Sequence, residues 1–272
     1  MKIRKAVVTI KNILIAVFIL ALVTAIFLFF TNQYFFKIKN INISENEKYS
    51  YDEILKASGI TIGEELYSID VKKAKANITD MLTYAESVNI TRIPPSTVNI
   101  EIKTEKGFFG ITVSGDYYII SEKFRVVDKI KITPESSFEP PDGIITFETN
   151  AVKKCYLGQK IEFKDDDIFD FLKEITAFFS ENKKNKDNAD MLSIIKNIDI
   201  TNKFNVVMNY GDKFLVRFGI FENISSKIMN TFEVIKELPD YAEGVIDISE
   251  GKIASFRYDE NISKLYNSDK NR

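Results

Sequence analysis

The chain has 272 residues, 37 Lys and Arg against 39 Asp and Glu, a net charge of −2, no histidine and one cysteine. The missing histidine excludes His-ligated metal sites and Ser-His-Asp or Cys-His catalysis, and the single Cys155 excludes an intrachain disulfide. Four of the basic residues, Lys2, Arg4, Lys5 and Lys11, precede residue 12 and leave 33 basic against 39 acidic side chains beyond it; that balance argues against nucleic acid, which needs a clustered basic face, and against lying flat on anionic lipid.

The first element is Ile13 to Phe30, ILIAVFILALVTAIFLFF, with no charge, no Pro and no Gly. At ~1.5 Å per residue, about 18 to 20 such residues cross a hydrocarbon core ~30 Å thick. A transmembrane helix is therefore expected over residues 12–32. The basic tail, residues 1–11, is expected on the cytoplasmic side, because Lys and Arg flanking a span favour that side. The alternative is a cleaved signal peptide ending at Val23-Thr24-Ala25; its apolar core is normally about 7 to 15 residues long, and cleavage here leaves Ile26 to Phe30 exposed to water. About 240 residues follow, enough for two domains of ordinary size.

Tyr34 is placed to sit in the headgroup layer. Phe36 to Ile43 reads as a strand whose alternation slips at Asn40. Ser50 and Glu53 form a capping box for a short helix that Gly59 ends. Gly63 marks a turn, and Leu66, Tyr67 and Ile69 make an apolar knot. Asp70 caps a second helix whose stripe is Val71, Ala74, Ile78 and Leu82, with Lys72, Lys73 and Lys75 largely on the solvated side. Strands follow near Tyr84 to Arg92 and Thr97 to Lys103, joined through Pro94-Pro95.

FKIKNINIS, SYDEILKASGI, GEELYSID, the stripe helix and RIPPSTVNIEIKTE together resemble a POTRA domain. More narrowly, they resemble the one that follows the single anchor in the bacterial division family FtsQ/DivIB. The turn G…LY-x-ID, the strand pair R-x-P-x-T-V-x-I-x-I-x-E and the position next to an apolar span carry the likeness. Glu45-Asn46-Glu47 stands where the family has a glycine turn. The POTRA domain is expected over 34–105, with element order β-α-α-β-β.

A β domain is expected over 106–260. FFGITVSG and DYYIIS are strands about a Ser114-Gly115-Asp116 turn, and Phe124 to Val127 is a third. GDYYIISEKFRVV resembles the family's G-x-YYLID-x-x-G-x-V, with Lys123-Phe124 in place of a glycine. Ile130 to Asn150 reads as a loop ending in a short strand, Ile144 to Phe147. Asp165, Asp166 and Asp167 precede a helix with Ile168, Leu172, Ile175 and Phe179 on one face. They lack the alternating ligands of a calcium loop and suit a helix N-terminus. Ser180 to Asp190 is a polar break. Strands are expected at 194–200, 204–210 and 213–218, the last two closed by Gly211-Asp212, then a helix from Asn223 to Leu238. GVIDIS and ASFRY, about a Glu250-Gly251 turn, resemble the family's terminal hairpin. Residues 261–272 are expected to be a flexible C-terminal tail.

The fold class expected is thus α+β: an N-terminal transmembrane helix, a POTRA domain, then a mainly antiparallel β domain with two helices. No carboxylate pair, nucleophile elbow or phosphate loop stands out, so no catalytic, metal or cofactor residue is assigned and neither a small-molecule substrate nor a cofactor is expected. Cys155, in KKCYLG, reads as a part-buried small apolar residue. The last strand, Ile253, Ala254, Ser255, Phe256, Arg257 and Tyr258, is a candidate sheet edge for an incoming strand; Phe256 is equally readable as core. The resemblance implies a non-catalytic divisome scaffold: a single-pass protein of the cytoplasmic membrane, its bulk extracytoplasmic and enriched at the septum. It also implies partners, the small coiled-coil proteins of the FtsB/DivIC type that pair with FtsL. The alternative is a membrane-anchored sensor or cell-envelope enzyme with an unrelated small α+β domain, which calls for a deep pocket of convergent polar groups.

Overall fold

The computed structural model describes residues 2–133, 138–250 and 254–269; within the first helix it describes side chains at 14–29 and at Phe35. That helix, α1, runs Lys2–Phe35, and every side chain from 14 to 29 is exposed. Among the described residues no helix is long and apolar enough to cross a membrane. The side chains of the basic tail and of Tyr34, on which the expected orientation depends, lie outside the described set. The chain divides into two compact units, residues 1–104 and 105–272.

In the first unit, β1 (Asn40–Ile43), α2 (Tyr51–Ser58), α3 (Val71–Met81), β2 (Ala85–Ile93) and β3 (Thr97–Thr104) follow the β-α-α-β-β order. β3 lies central, parallel to β1 and antiparallel to β2. The capping box forms as its residues dictate: Ser50 Oγ accepts from the Glu53 N–H, and the Glu53 carboxylate accepts from the Ser50 N–H at 2.8 Å. Gly59 ends α2 at φ 67°. Asp70 caps α3 by accepting from the Lys73 N–H at 3.0 Å. Ala74 and Ile78 of α3 and Ile54 of α2 are buried against Val98, Ile100 and Ile102 of β3 in one apolar core. The first strand is shorter than the alternation implies. Phe36 and Ile38 instead bond to the 63–66 turn, through the Leu66 N–H to Phe36 O and the Ile38 N–H to Glu64 O.

The second unit is built on β4 (Gly107–Val113), β5 (Asp116–Ser121), β6 (Val126–Lys131), β7 (Ile145–Glu148), β8 (Val152–Lys154), β9 (Glu162–Phe163), α4 (Asp166–Asn182), α5 (Lys186–Ser193), β10 (Ile195–Asp199), β11 (Val206–Tyr210), β12 (Phe214–Gly219), α6 (Ile224–Glu237), β13 (Gly244–Asp247), β14 (Ser255–Tyr258) and α7 (Ile262–Asp269). One nine-stranded sheet has the order β14-β13-β12-β11-β10-β7-β4-β5-β6, and β8 with β9 forms a small separate hairpin. Three of its junctions, β7 with β4, β7 with β10 and β12 with β13, are parallel; the rest are antiparallel, so the sheet is mainly antiparallel as expected. Gly211 (φ 62°) and Asp212 (φ 60°) close the β11–β12 hairpin, both with the positive φ that a type I′ turn requires. Phe124, at φ 63°, takes the left-handed conformation that glycine adopts freely, and its buried ring packs edge-on against Phe169.

One face of the sheet carries α4 and α6, whose Leu172, Ile175, Phe179, Ile228 and Phe232 join the main core. The opposite face bears Val207, Leu215 and Val245, covered by Ile262 and Tyr266 of α7. Among its described residues the unit therefore has four helices where two are expected from the sequence. α5 occupies part of the expected polar break, capped by Asn185. α7 stands where a flexible tail was expected: Ile262 and Tyr266 bury one side of an otherwise polar segment against the sheet.

Candidate partner-binding edge

β14 is the outermost strand at its end of the sheet, and among the described residues no strand lies beyond it. At the other end β6 is partly covered: its Val126 N–H donates to Gln159 O, and the Gly158 N–H donates to Val126 O. β14 joins β13 by pairing Ser255 with Asp247, Phe256 with Ile246, Arg257 with Val245 and Tyr258 with Gly244. The same ladder continues through the Asp259 N–H to Glu243 O at 3.1 Å. Main-chain groups along a strand point alternately to opposite sides. Asp259, Arg257 and Ser255 therefore bond inward to β13, and the N–H and C=O of Phe256 and Tyr258 point outward, away from the sheet.

The side chains divide in the perpendicular direction. Phe256 is half-buried and turns to the core face. There it lies edge-to-face with Phe214 at 6.2 Å and with Tyr258 at 4.7 Å between ring centroids. Ala254 also packs on the core. Ser255 and Arg257 are exposed, and Arg257 reaches Asp259 at 3.9 Å. Tyr258 is 61% exposed. Ile253 and the Glu250-Gly251 turn's second residue lie outside the described residues. Phe256 thus serves core packing through its side chain while its main chain faces the open edge.

Gly244 makes this contact possible. A Cβ there would collide with the carbonyl oxygen of Arg257 and come within 2.8 Å of Phe256 Cε2. The sequence does not single out this glycine, because a close approach between strands leaves no local pattern.

α7 holds the back of the same end of the sheet. The Tyr266 hydroxyl donates to Glu148 Oε1 at 3.2 Å and accepts from Asn197 Nδ2 at 2.9 Å. Burial, then the carboxylates of Glu148 and Asp199, push its phenol well above the usual tyrosine range. Arg217 Nε donates to Asp269 Oδ2 at 2.5 Å, tying the end of α7 to β12.

The other residues singled out in the sequence have ordinary roles here. Cys155 is half-buried, and burial pushes its thiol up to about 11, away from the thiolate that reactivity requires. Asp165 caps α4 by accepting from the Asp167 N–H, and Lys203 bridges Asp165 and Asp167 at 3.4 and 2.8 Å.

A family model described as a POTRA domain of the FtsQ type matches residues 36–103. The chain is 25% identical over 217 residues to the cell division protein DivIB of Clostridium botulinum strain Hall, covering 79% of each. It is 23% identical over 201 residues to the cell division protein FtsQ of Corynebacterium glutamicum, covering 74% of this chain and 79% of that one. With DivIB of Clostridium tetani it shares 23% identity over 219 residues, 79% of this chain and 77% of the relative. These similarities extend well past the POTRA domain into the sheet that ends in β14: residues 36–103 match a POTRA domain of the FtsQ type, and about three quarters of the chain is similar to FtsQ and DivIB cell division proteins.

Proposed function

We propose that the chain is a non-catalytic scaffold of the division machinery that captures a partner by adding the partner's strand to β14. The observation carrying this reading is the outward row of main-chain N–H and C=O groups at Phe256 and Tyr258, on a strand with no neighbour beyond it among the described residues. Strand addition draws its affinity from such main-chain bonds and its selectivity from alternate side chains; Ser255, Arg257 and Tyr258 stand exposed to supply them. The expected partner is a bitopic coiled-coil protein of the FtsB/DivIC type, itself paired with one of the FtsL type. Ile253 to Tyr258 is the proposed contact strand. The POTRA domain, over 34–105, is read as a second docking module.

The apolar run 13–30 of α1 is read as the anchor, with residues 1–11 inside the cell and the two units outside. Its support is the length of α1, 34 residues, together with the uninterrupted exposure of residues 14–29. The expected site of action is the septum; the similarity to cell division proteins supports this reading.

The decisive variant is Tyr258→Pro in the full chain. Proline removes an N–H that the sheet itself does not use, and its φ fits a strand edge. The sheet is expected to remain folded, while capture of a purified FtsB/DivIC-type partner falls by at least about tenfold, ~1.4 kcal/mol. Arg257→Pro, which breaks the inward ladder, should lose both fold at this edge and capture. Unchanged capture by a folded Tyr258→Pro chain would sink strand addition at β14.

A further inference from the structure

We infer that a second docking site, separate from the β14 edge, lies in an open groove between α4, the β10–β11 turn and the β12–α6 turn, and that it takes a protein segment in which a large apolar side chain is flanked by Lys or Arg. The groove encloses ≈540 Å³, inside the ~300–1,000 Å³ typical of binding pockets. Its apolar part is built by Phe171 of α4 and Phe221, stacked at 4.4 Å and 22°, with Ile220 and Phe204 at the mouth. Phe204 is 70% and Ile220 41% exposed. An exposed phenylalanine beside a stacked pair is a hydrophobic patch of the sort that marks an interaction site.

The rim is acidic. Asp167, Asp170, Glu174 and Glu222 all line the groove, where Lys203 is the single lysine. Lys203 is engaged by Asp165 and Asp167, and Lys173 pairs with Asp170 at 2.8 Å. Even with Asp165, Lys173 and the buried Lys227 included, carboxylates outnumber lysines five to three. The N-terminus of α4 explains Asp165 and Asp167. Glu174 accepts from the N–H and hydroxyl of Ser225 at the start of α6, and Glu222 interacts electrostatically with buried Lys227. A basic occupant is steered and held by this field; an anionic lipid or nucleic acid is repelled.

The occupant is a protein segment and not a small cation. None of the residues that line the groove carries a buried polar side-chain atom without a partner. With no buried polar group to orient a small molecule, selectivity rests on the apolar floor and the charged rim. The loop that carries Ile220 to Glu222 is itself well held: buried Lys227 donates from Nζ to Phe218 O at 2.7 Å and to Ile220 O at 3.1 Å.

The test uses the full chain in detergent and a fluorescent peptide bearing Leu-Phe-Leu flanked by lysines, followed by anisotropy. Saturable binding is expected, weakened at least about tenfold, ~1.4 kcal/mol, by Phe204→Ala and by the double reversal D170K/E222K. The double-reversed chain should instead bind the matching peptide flanked by glutamates. These residues are exposed, so the variants should fold, and circular dichroism checks that they do. Equal binding by the wild type and Phe204→Ala would overturn the site, leaving only diffuse attraction of cations. So would spermine displacing the peptide in proportion to charge alone. Tyr258→Pro should leave peptide binding unchanged, so failure at this groove and failure at β14 are told apart.

Discussion

Gly244 decides whether the edge strand can lie where it does. Its partner across the ladder is Tyr258, and the carbonyl of Arg257 occupies the space a Cβ would need. Gly244→Ala therefore forces β14 outward or forces β13 to yield. Overpacking of this type costs about 1–3 kcal/mol, and here the cost falls on a strand of only four residues. The expected result is loss of amide protection at Ser255, Arg257 and Asp259, and of partner capture, with the cores of both units intact. Hydrogen exchange followed by peptide mass spectrometry checks it; unchanged protection over β14 would show that the strand tolerates the shift. The hydrogen-bond ladder cannot compensate, because it is the main chain of Arg257, not a movable side chain, that stands in the way.

At the level of elements, α7 shows how a short helix is maintained. Eight residues are too few for a stable isolated helix, so α7 depends on docking: Ile262 and Tyr266 on the apolar patch of Val207, Leu215 and Val245, the Tyr266 hydroxyl on Glu148 and Asn197, and Asp269 on Arg217. Tyr266→Phe removes a hydroxyl that bonds to a carboxylate, a loss of about 1–2 kcal/mol. The pH dependence follows in sign from the raised phenol. The folded state keeps the proton where the unfolded state gives it up, so this contribution is whole below the ordinary tyrosine value of about 10 and is lost as pH rises above it. Alkaline titration should release α7 from the sheet, read as increased proteolysis of the segment after Glu260, and Tyr266→Phe should flatten that dependence. An alkaline response identical in Tyr266→Phe would assign the effect to another group, such as Tyr117 or Tyr210, both of which burial also pushes upward.

These two cases mark what sequence makes legible. Ser50 with Glu53, Asp70 and the Ala74–Ile78 stripe act over three or four residues, so capping and periodicity expose them directly. Gly211-Asp212 likewise declares its hairpin. α7 had its apolar spacing at Ile262, Leu265 and Tyr266, but in a segment polar enough to read as a fraying end; what stabilises it lies 47 to 118 residues away at Leu215 and Glu148. The parallel junction of β12 with β13 and the collision site at Gly244 are also set between distant segments. The edge strand was found by its alternation, whereas which of its main-chain groups face outward required the register. The groove at Phe204 was invisible for the same reason: its three walls come from separate turns and a helix.

For the whole molecule, function depends on where the two units are kept. In the proposed topology, α1 confines them to a layer at the membrane, where other single-span proteins are confined as well. Confinement turns a second binding event into one at an effective concentration that reaches the millimolar range, and can raise avidity by about 10²–10⁴ without a new contact. The identity of the span should then matter less than its presence. Replacing residues 13–30 by an unrelated apolar span of equal length is expected to preserve septal enrichment and capture of the coiled-coil partner. Exporting the chain from residue 36 onward without a span should reduce capture in cells by at least about a hundredfold while leaving solution affinity for the purified partner unchanged. The pairing of the two measurements is what discriminates. If the unanchored chain binds as well in cells as the anchored one, confinement contributes nothing; if the swapped span fails although the chain is inserted and folded, α1 itself makes side-chain contacts that the anchor reading does not include.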